Sequence, residues 1–192
     1  MPVLNLEAPS RRFVLKASAL AGGGLLLSMR LPSLARAQAP TDPVAFMPNA
    51  FVKIDASGKV TLIAPHTEVG QGIETAQAML IGDELDVGLD QIHVQPAPPD
   101  VKTYLDPLLG DQATGGSTSI RSDWTRLRQA GATARAMLVA VAAKRWDVDP
   151  KTCRVDRGII HHDPSKRSLG YGDVAADAAA LPVPTVPPEL TT

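Results

Sequence analysis

Gly110-Asp111-Gln112-Ala113-Thr114-Gly115-Gly116-Ser117-Thr118-Ser119 runs directly into Ile120-Arg121-Ser122-Asp123-Trp124, where small polar residues give way to a helical rhythm. Ile120, Trp124, Leu127, Gly131, Ala134, Leu138 and Val141 are spaced by alternating steps of four and three, which predicts a long helix over Ser119–Trp146. Within it, Ala130-Gly131-Ala132 would let a second backbone approach closely. Arg121, Arg128 and Arg135 fall on another face, most simply a solvated one.

Working back from this loop, Pro96–Leu109 is loop-like, and Gln91–Gln95 alternates as a strand does. A second helix is expected over Ile73–Leu85, with Ile73, Ala76 and Leu80 on one stripe and Glu84 off it. It follows the tight turn Gly70-Gln71-Gly72. Phe51–Ile54 and Lys59–Ile63 read as strands joined by Asp55-Ala56-Ser57-Gly58. Val60, Leu62 and Ala64 share one face, so the second of these strands is at least half buried. Downstream, Asp149-Pro150 closes the long helix region, and Cys153–Arg157 and Ile159–His162 form a hairpin about Gly158. A short alanine-rich helix follows over Asp173–Ala180. There is no internal repeat. The expected class is α+β: a small mixed sheet with helices packed on one face, one domain after a signal peptide.

That signal peptide occupies residues 1–37. Ser10-Arg11-Arg12-Phe13-Val14-Leu15-Lys16 fits the twin-arginine export pattern, and Ala35 and Ala37 supply a small-residue cleavage site. The uncharged run Ala17–Met29 contains Gly22-Gly23-Gly24 and is too short to span a bilayer, so no stable membrane span is expected after cleavage. The route carries folded passengers, which implies the twin-arginine translocation machinery as a partner and the periplasm as destination. Residues 38–50 form an extended lead-in, 51–181 the α+β module, and 182–192 a proline-rich linker or truncated end.

The leader carries Arg11, Arg12, Lys16, Arg30 and Arg36 against Glu7 alone, leaving 14 basic and 19 acidic residues in the mature chain. A mildly acidic domain with few aromatics does not suggest nucleic-acid binding. The lone Cys153 excludes an internal disulfide and a cysteine-rich metal cluster held by this chain.

Two glycine-rich loops open helices, and a helix amino terminus offers unpaired N–H groups and partial positive charge to an anion. Thr114, Gly115, Gly116, Ser117, Thr118 and Ser119 add four hydroxyls to those amides. Spacing alone leaves open whether they cradle a ligand or whether Ser117 or Ser119 simply caps the helix. Gly70-Gln71-Gly72 begins like a dinucleotide fingerprint, but Thr75 stands where a third glycine belongs, and no P-loop lysine follows either loop. Gln71 is equally readable as a ligand contact or as an exposed turn residue. Glu68 reads as a hydrogen-bonding turn residue, and His161-His162 as surface histidines. His66 and His93 have no partner at ligand spacing.

Glu68-Val69-Gly70-Gln71-Gly72-Ile73-Glu74-Thr75 and Gln112–Ser119, each followed by a helix, resemble the cofactor-binding loops of molybdenum hydroxylases. The likeness is to the large subunit of the isoquinoline 1-oxidoreductase type, in the xanthine dehydrogenase/aldehyde oxidase family. It extends to Pro98-Pro99-Asp100, Pro107-Leu108-Leu109 and Leu169-Gly170-Tyr171-Gly172. The resemblance implies that Gln71 hydrogen-bonds a molybdopterin cofactor, plain or in its cytosine dinucleotide form, and that Gly70 and Gly72 permit its close approach. It implies that Thr114 to Ser119 donate amides and hydroxyls, with Gly116 nearest the metal. It further implies iron–sulfur clusters on a small partner subunit, and hydroxylation of aldehydes or N-heterocycles with oxygen from water. Family large subunits are several times longer, and their catalytic glutamate lies far downstream, so no catalytic residue is assigned here. The remaining cofactor-binding domains would lie on a continuation or a second chain. The rival reading is a non-catalytic exported module that binds an anion or a partner protein.

Overall fold

A computed structural model describes residues 48–191, all within one compact unit spanning Asp42–Thr192. The twin-arginine motif, the cleavage site and most of the lead-in lie outside the described residues.

Asp55 makes the first turn. Its carboxylate accepts from the Ser57 N–H (2.8 Å), the Ser57 hydroxyl (2.6 Å) and the Lys59 N–H (3.1 Å), which brings β1 (Val52–Ile54) back against β2 (Val60–Ala64). The pair is antiparallel, with Val52 opposite Leu62. Every residue of β2 is buried, Thr61 and Ile63 included, so this strand is covered on both faces. From β2 the chain passes through α1 (Ile73–Leu85) to β3 (Ile92–Pro96), which pairs with β2 in parallel, Val60 opposite Ile92. A parallel pair needs such a crossover, because no tight turn can join its ends. A single helical turn, α2 (Val101–Tyr104), interrupts the expected loop, with the Asp100 carboxylate accepting from the Thr103 N–H. The long helix α3 covers Ser119–Trp146 as the spacing predicts.

The expected single sheet is two. β4 (Arg154–Asp156), β5 (Ile159–His162) and β6 (Arg167–Gly170) form a separate antiparallel meander. The third strand escapes a sequence reading because Arg-Ser-Leu-Gly has neither alternation nor β-branched residues. α4 (Tyr171–Ala179) then packs on α3, and the Tyr171 hydroxyl donates to the Leu85 carbonyl at 2.6 Å. The α+β class holds, with helices and sheets sharing one core built on Ile54, Leu62, Ile81, Leu127, Leu138 and Ile160. Among the described residues no helix is long and apolar enough to cross a membrane.

α1 and α3 approach closely at Gly131. A Cβ placed there would stand 2.9 Å from the Glu84 Cβ and 2.9 Å from the Ile81 carbonyl, so only glycine fits. Three residues expected outside the core turn toward the helix interface here. Glu84 is fully buried, and its carboxylate meets Arg128 at 2.6 Å and Arg135 at 4.0 Å. Arg128 and Arg135 are seven apart and flank Gly131, so helical periodicity turns both toward α1 rather than toward water. Conversely Trp124, placed on the apolar stripe by spacing, is half exposed, with the Arg128 guanidinium 5.6 Å from its ring centre. Thr191 sits against the same junction: its N–H donates to Glu84 (3.1 Å) and its carbonyl accepts from Arg128.

Candidate functional site

Gln77 of α1 faces Asp123 of α3, and Glu84 faces Arg128, so the two helices run in the same direction. Their amino termini therefore lie side by side, and the partial positive charges of both helix dipoles gather at one end. The first loop, Pro65–Gly72, enters α1 there, and the second, Asp111–Thr118, enters α3. The Thr67 N–H donates to the Thr114 hydroxyl oxygen at 2.9 Å, and His66 Nδ1 lies 3.1 Å from the Ala113 carbonyl. Between the loops opens a cavity of about 610 Å³, lined by His66, Thr67, Val69, Pro99, Gln112 and Thr114. A slightly larger one of about 670 Å³ runs along the outer faces of α1 and α3, but its walls are mostly apolar, Met79, Leu80 and Trp124 among them. The polar cavity is the one that fits binding chemistry.

The first loop satisfies itself. The Glu68 carboxylate accepts from the N–H groups of Gly70 (2.7 Å), Gly72 (3.0 Å) and Glu74 (3.2 Å). The Gly72 and Glu74 amides hold this carboxyl below its ordinary range. Gln71 is exposed, but its amide turns inward, accepting from the Val69 N–H at 2.6 Å and donating to the Thr67 carbonyl at 2.9 Å. Gly70 and Gly72 adopt φ of 97° and 81°, where an L side chain is strained.

The second loop is closed only in part, by the Gly115 carbonyl, which accepts from the Thr118 N–H (3.2 Å) and hydroxyl (3.0 Å). No side chain caps α3, so neither Ser117 nor Ser119 performs the capping that spacing had left open. Thr118, at the N-cap position, is buried and spends its hydroxyl elsewhere, donating to Asp106 at 2.5 Å. Ser117 itself stands at φ 55°, a left-handed conformation that costs roughly 1 kcal/mol or more outside glycine. Gly116, at φ 58°, has its own conformational reason to be glycine. Gly115 has none: its φ is not left-handed, and a Cβ built on it meets nothing within 4 Å. Neither backbone strain nor packing asks for glycine there. An open patch of backbone beside an uncapped helix terminus fits a phosphate-bearing cofactor that must come close.

Beneath both loops lies a buried polar cluster that the sequence did not reveal. Asp123, fully buried, accepts from Gln77 (2.7 Å) and from Arg126, whose guanidinium also donates to the Leu105 carbonyl (2.9 Å). His66 Nε2 lies 3.1 Å from Asp123 Oδ2 and 4.0 Å from Asp106 Oδ2. Burial alone would raise the Asp106 carboxyl, but the Thr118 hydroxyl and the Leu108 N–H outweigh it and hold it below the ordinary range. So His66, which has no partner at ligand spacing in the sequence, gains its neighbours through the fold. The available signal was Gln77 and Asp123, polar residues at positions that continue the buried stripes of their helices. His162 also departs from its surface reading: it is buried beside the Trp146 ring, with Nδ1 2.6 Å from the Ser165 hydroxyl. Among the described residues no three His, Cys, Asp or Glu side chains gather as a metal cluster.

A family model described as a molybdopterin cofactor-binding domain matches residues 22–189. The chain is 37% identical over 149 residues to isoquinoline 1-oxidoreductase subunit beta of Brevundimonas diminuta, covering 76% of this chain and 19% of that protein. It is 30% identical over 160 residues to the membrane-bound aldehyde dehydrogenase [pyrroloquinoline-quinone] of Gluconacetobacter polyoxogenes, covering 81% and 20%. It therefore spans about a fifth of the length of these relatives. Among solved structures, the fold is shared with CO dehydrogenase of Oligotropha carboxidovorans (TM-score 0.53, 23% identity, 72% of this chain and 17% of that one). It is shared also with quinoline 2-oxidoreductase of Pseudomonas putida 86 (TM-score 0.51, 22% identity, 65% and 15%).

Proposed function

Because the chain belongs to the molybdopterin cofactor-binding domain family and is related to the molybdenum hydroxylases, we propose that it is the cofactor-holding module of a periplasmic enzyme of that kind. The twin-arginine leader supports export in the folded, loaded state. Substrates would be aldehydes or N-heterocycles, the classes named by its relatives. Electrons would leave through an iron–sulfur small subunit, and the remaining cofactor-binding domains would complete the enclosure. The lone Cys153 supports placing the clusters on another chain.

Gly115 carries the reading: it leaves backbone open beside the uncapped amino terminus of a 28-residue helix, where no structural demand accounts for it. The amides at the start of α3, with the Ser117 and Ser119 hydroxyls, would receive the cofactor's phosphate oxygens, whether it is plain molybdopterin or its cytosine dinucleotide form. When bound, molybdopterin supplies a redox centre at which a substrate carbon gains oxygen from water and gives up an electron pair. The chain's own part is binding and orientation. Thr114 joins the loops and lines the cavity, Gly116 and Ser117 turn the backbone through left-handed φ, and Gly70 to Gly72 follow directly on Val69, which lines the cavity from the first loop. Thr118 holds the second loop from below.

The test is to express the full chain, alone and with any downstream product, in a host that makes molybdopterin, then assay purified protein for pterin and molybdenum. Retained pterin is expected; neither pterin nor molybdenum in either preparation overturns the proposal. Gln71→Ala is expected to lower retention more than it lowers Tm, because its amide orders the rim at Thr67 and Val69. Equal pterin content in variant and parent would remove Gln71 from the site.

A further inference from the structure

We infer that His66 is a positioning residue, a buried clamp that holds the two glycine-rich loops in register. The idea rests on the assignment of those loops to the cofactor, and it concerns a side chain to which that assignment gives no part.

His66 is the last inward residue before the first loop leaves the core, and its side chain is fully buried, while Thr67 beside it is exposed. Nδ1 faces the Ala113 carbonyl of the second loop at 3.1 Å, one residue before Thr114. Nε2 faces Asp123 of α3 at 3.1 Å and Asp106 at 4.0 Å. The Asp123 contact is close, but Nε2 makes no aligned hydrogen bond, so it is a near approach rather than a second directed bond. The directed contact is therefore the one that crosses between loops. An apolar side chain would fill the same space without desolvating polar atoms, so burying an imidazole here calls for a compensating contact. The bond to Ala113 is that contact. It also fixes the distance from Gly70-Gln71-Gly72 to Thr114-Gly115, since among the described residues the other cross-loop bond, from the Thr67 N–H to Thr114, lies at the exposed rim. Placement errors of about 1 Å can cost about a hundredfold in a bound reaction, so such a register is worth maintaining.

Hydrogen exchange on the full chain, without cofactor, separates this role from ordinary core packing. The amide of Asn reaches about where Nδ1 stands, whereas Leu offers no donor. His66→Leu is expected to speed exchange at residues 67–74 and 112–118 about tenfold, the loss of one buried hydrogen bond, while the α3 amides near Leu138 stay slow. His66→Asn is expected to return the loops to near the parent rate. The clamp is overturned if Leu leaves the loops unchanged, if Asn fails to rescue, or if loops and α3 loosen together. Should His66→Leu not fold, because two carboxylates lose a polar neighbour, the comparison is made on an Asp123→Asn background, where one of those charges is gone. No cofactor enters these measurements, so a chain that binds no pterin would sink the loop assignment and leave the clamp standing or falling on its own.

Discussion

The two loops look alike in sequence, each a small-residue turn opening a helix, yet they reach opposite solutions. The first is closed on itself: Glu68 occupies three amides at the entry to α1, and Gln71 ties down two more backbone groups. The second leaves α3 uncapped and holds Gly115 open. A helix terminus that already holds a carboxylate has little left to offer a phosphate. On the proposed function, the first loop would be a preformed wall and the second the receiving surface. Glycine content alone could not separate them.

Ordered by their effect on stability, four substitutions probe that contrast. Asp123→Ala should be the most damaging, at about 3–5 kcal/mol by urea denaturation, since it strands Arg126, Gln77 and His66 under both loops. A loss confined to one loop would break the picture of a shared floor. Gly72→Val, at φ 81°, should cost about 1–2 kcal/mol through left-handed strain alone. An unchanged denaturation midpoint would mean that the first loop is less rigid than drawn. Glu68→Gln should lower Tm less and loosen residues 68–74 selectively. The pH dependence has the same sign for Glu68 and Asp106. Both carboxyls are depressed when folded, so their stabilisation is full above about pH 5 and disappears as pH falls through the folded values. Loop protection factors, with exchange rates corrected for the intrinsic pH dependence of amide exchange, that stayed flat from pH 6 to about pH 3 would contradict this. Gly115→Val should leave stability within about 0.5 kcal/mol and yet abolish pterin retention. A stable variant that still binds would move the receiving surface away from the second loop.

Much of the fold was legible. Steps of three and four placed α1 and α3, because a long helix repeats its spacing over many residues. The short elements were not, as Val101–Tyr104 and Arg167–Gly170 contain too few residues to show a period. At the site, glycines marked the loops, since special backbone requires a special residue. The floor beneath stayed hidden because His66, Asp106 and Asp123 are brought together only by tertiary packing. Glu84 and its arginines were misplaced for a related reason: a charge on a helix reads as solvated until its partner across the interface is known.

Gly131 has a mechanical consequence. It is the pinch point between α1 and α3, and about 12 residues of helix, about 18 Å at 1.5 Å per residue, separate it from Ser119. That length acts as a lever arm. A side chain wedged at the pinch that splays the helices by only about 3° would swing the mouth of the second loop by about 1 Å, the scale on which bound geometry fails. The fulcrum of this site thus lies far from anything a ligand would touch, and damage there would be felt as a misaligned rim rather than as a broken contact.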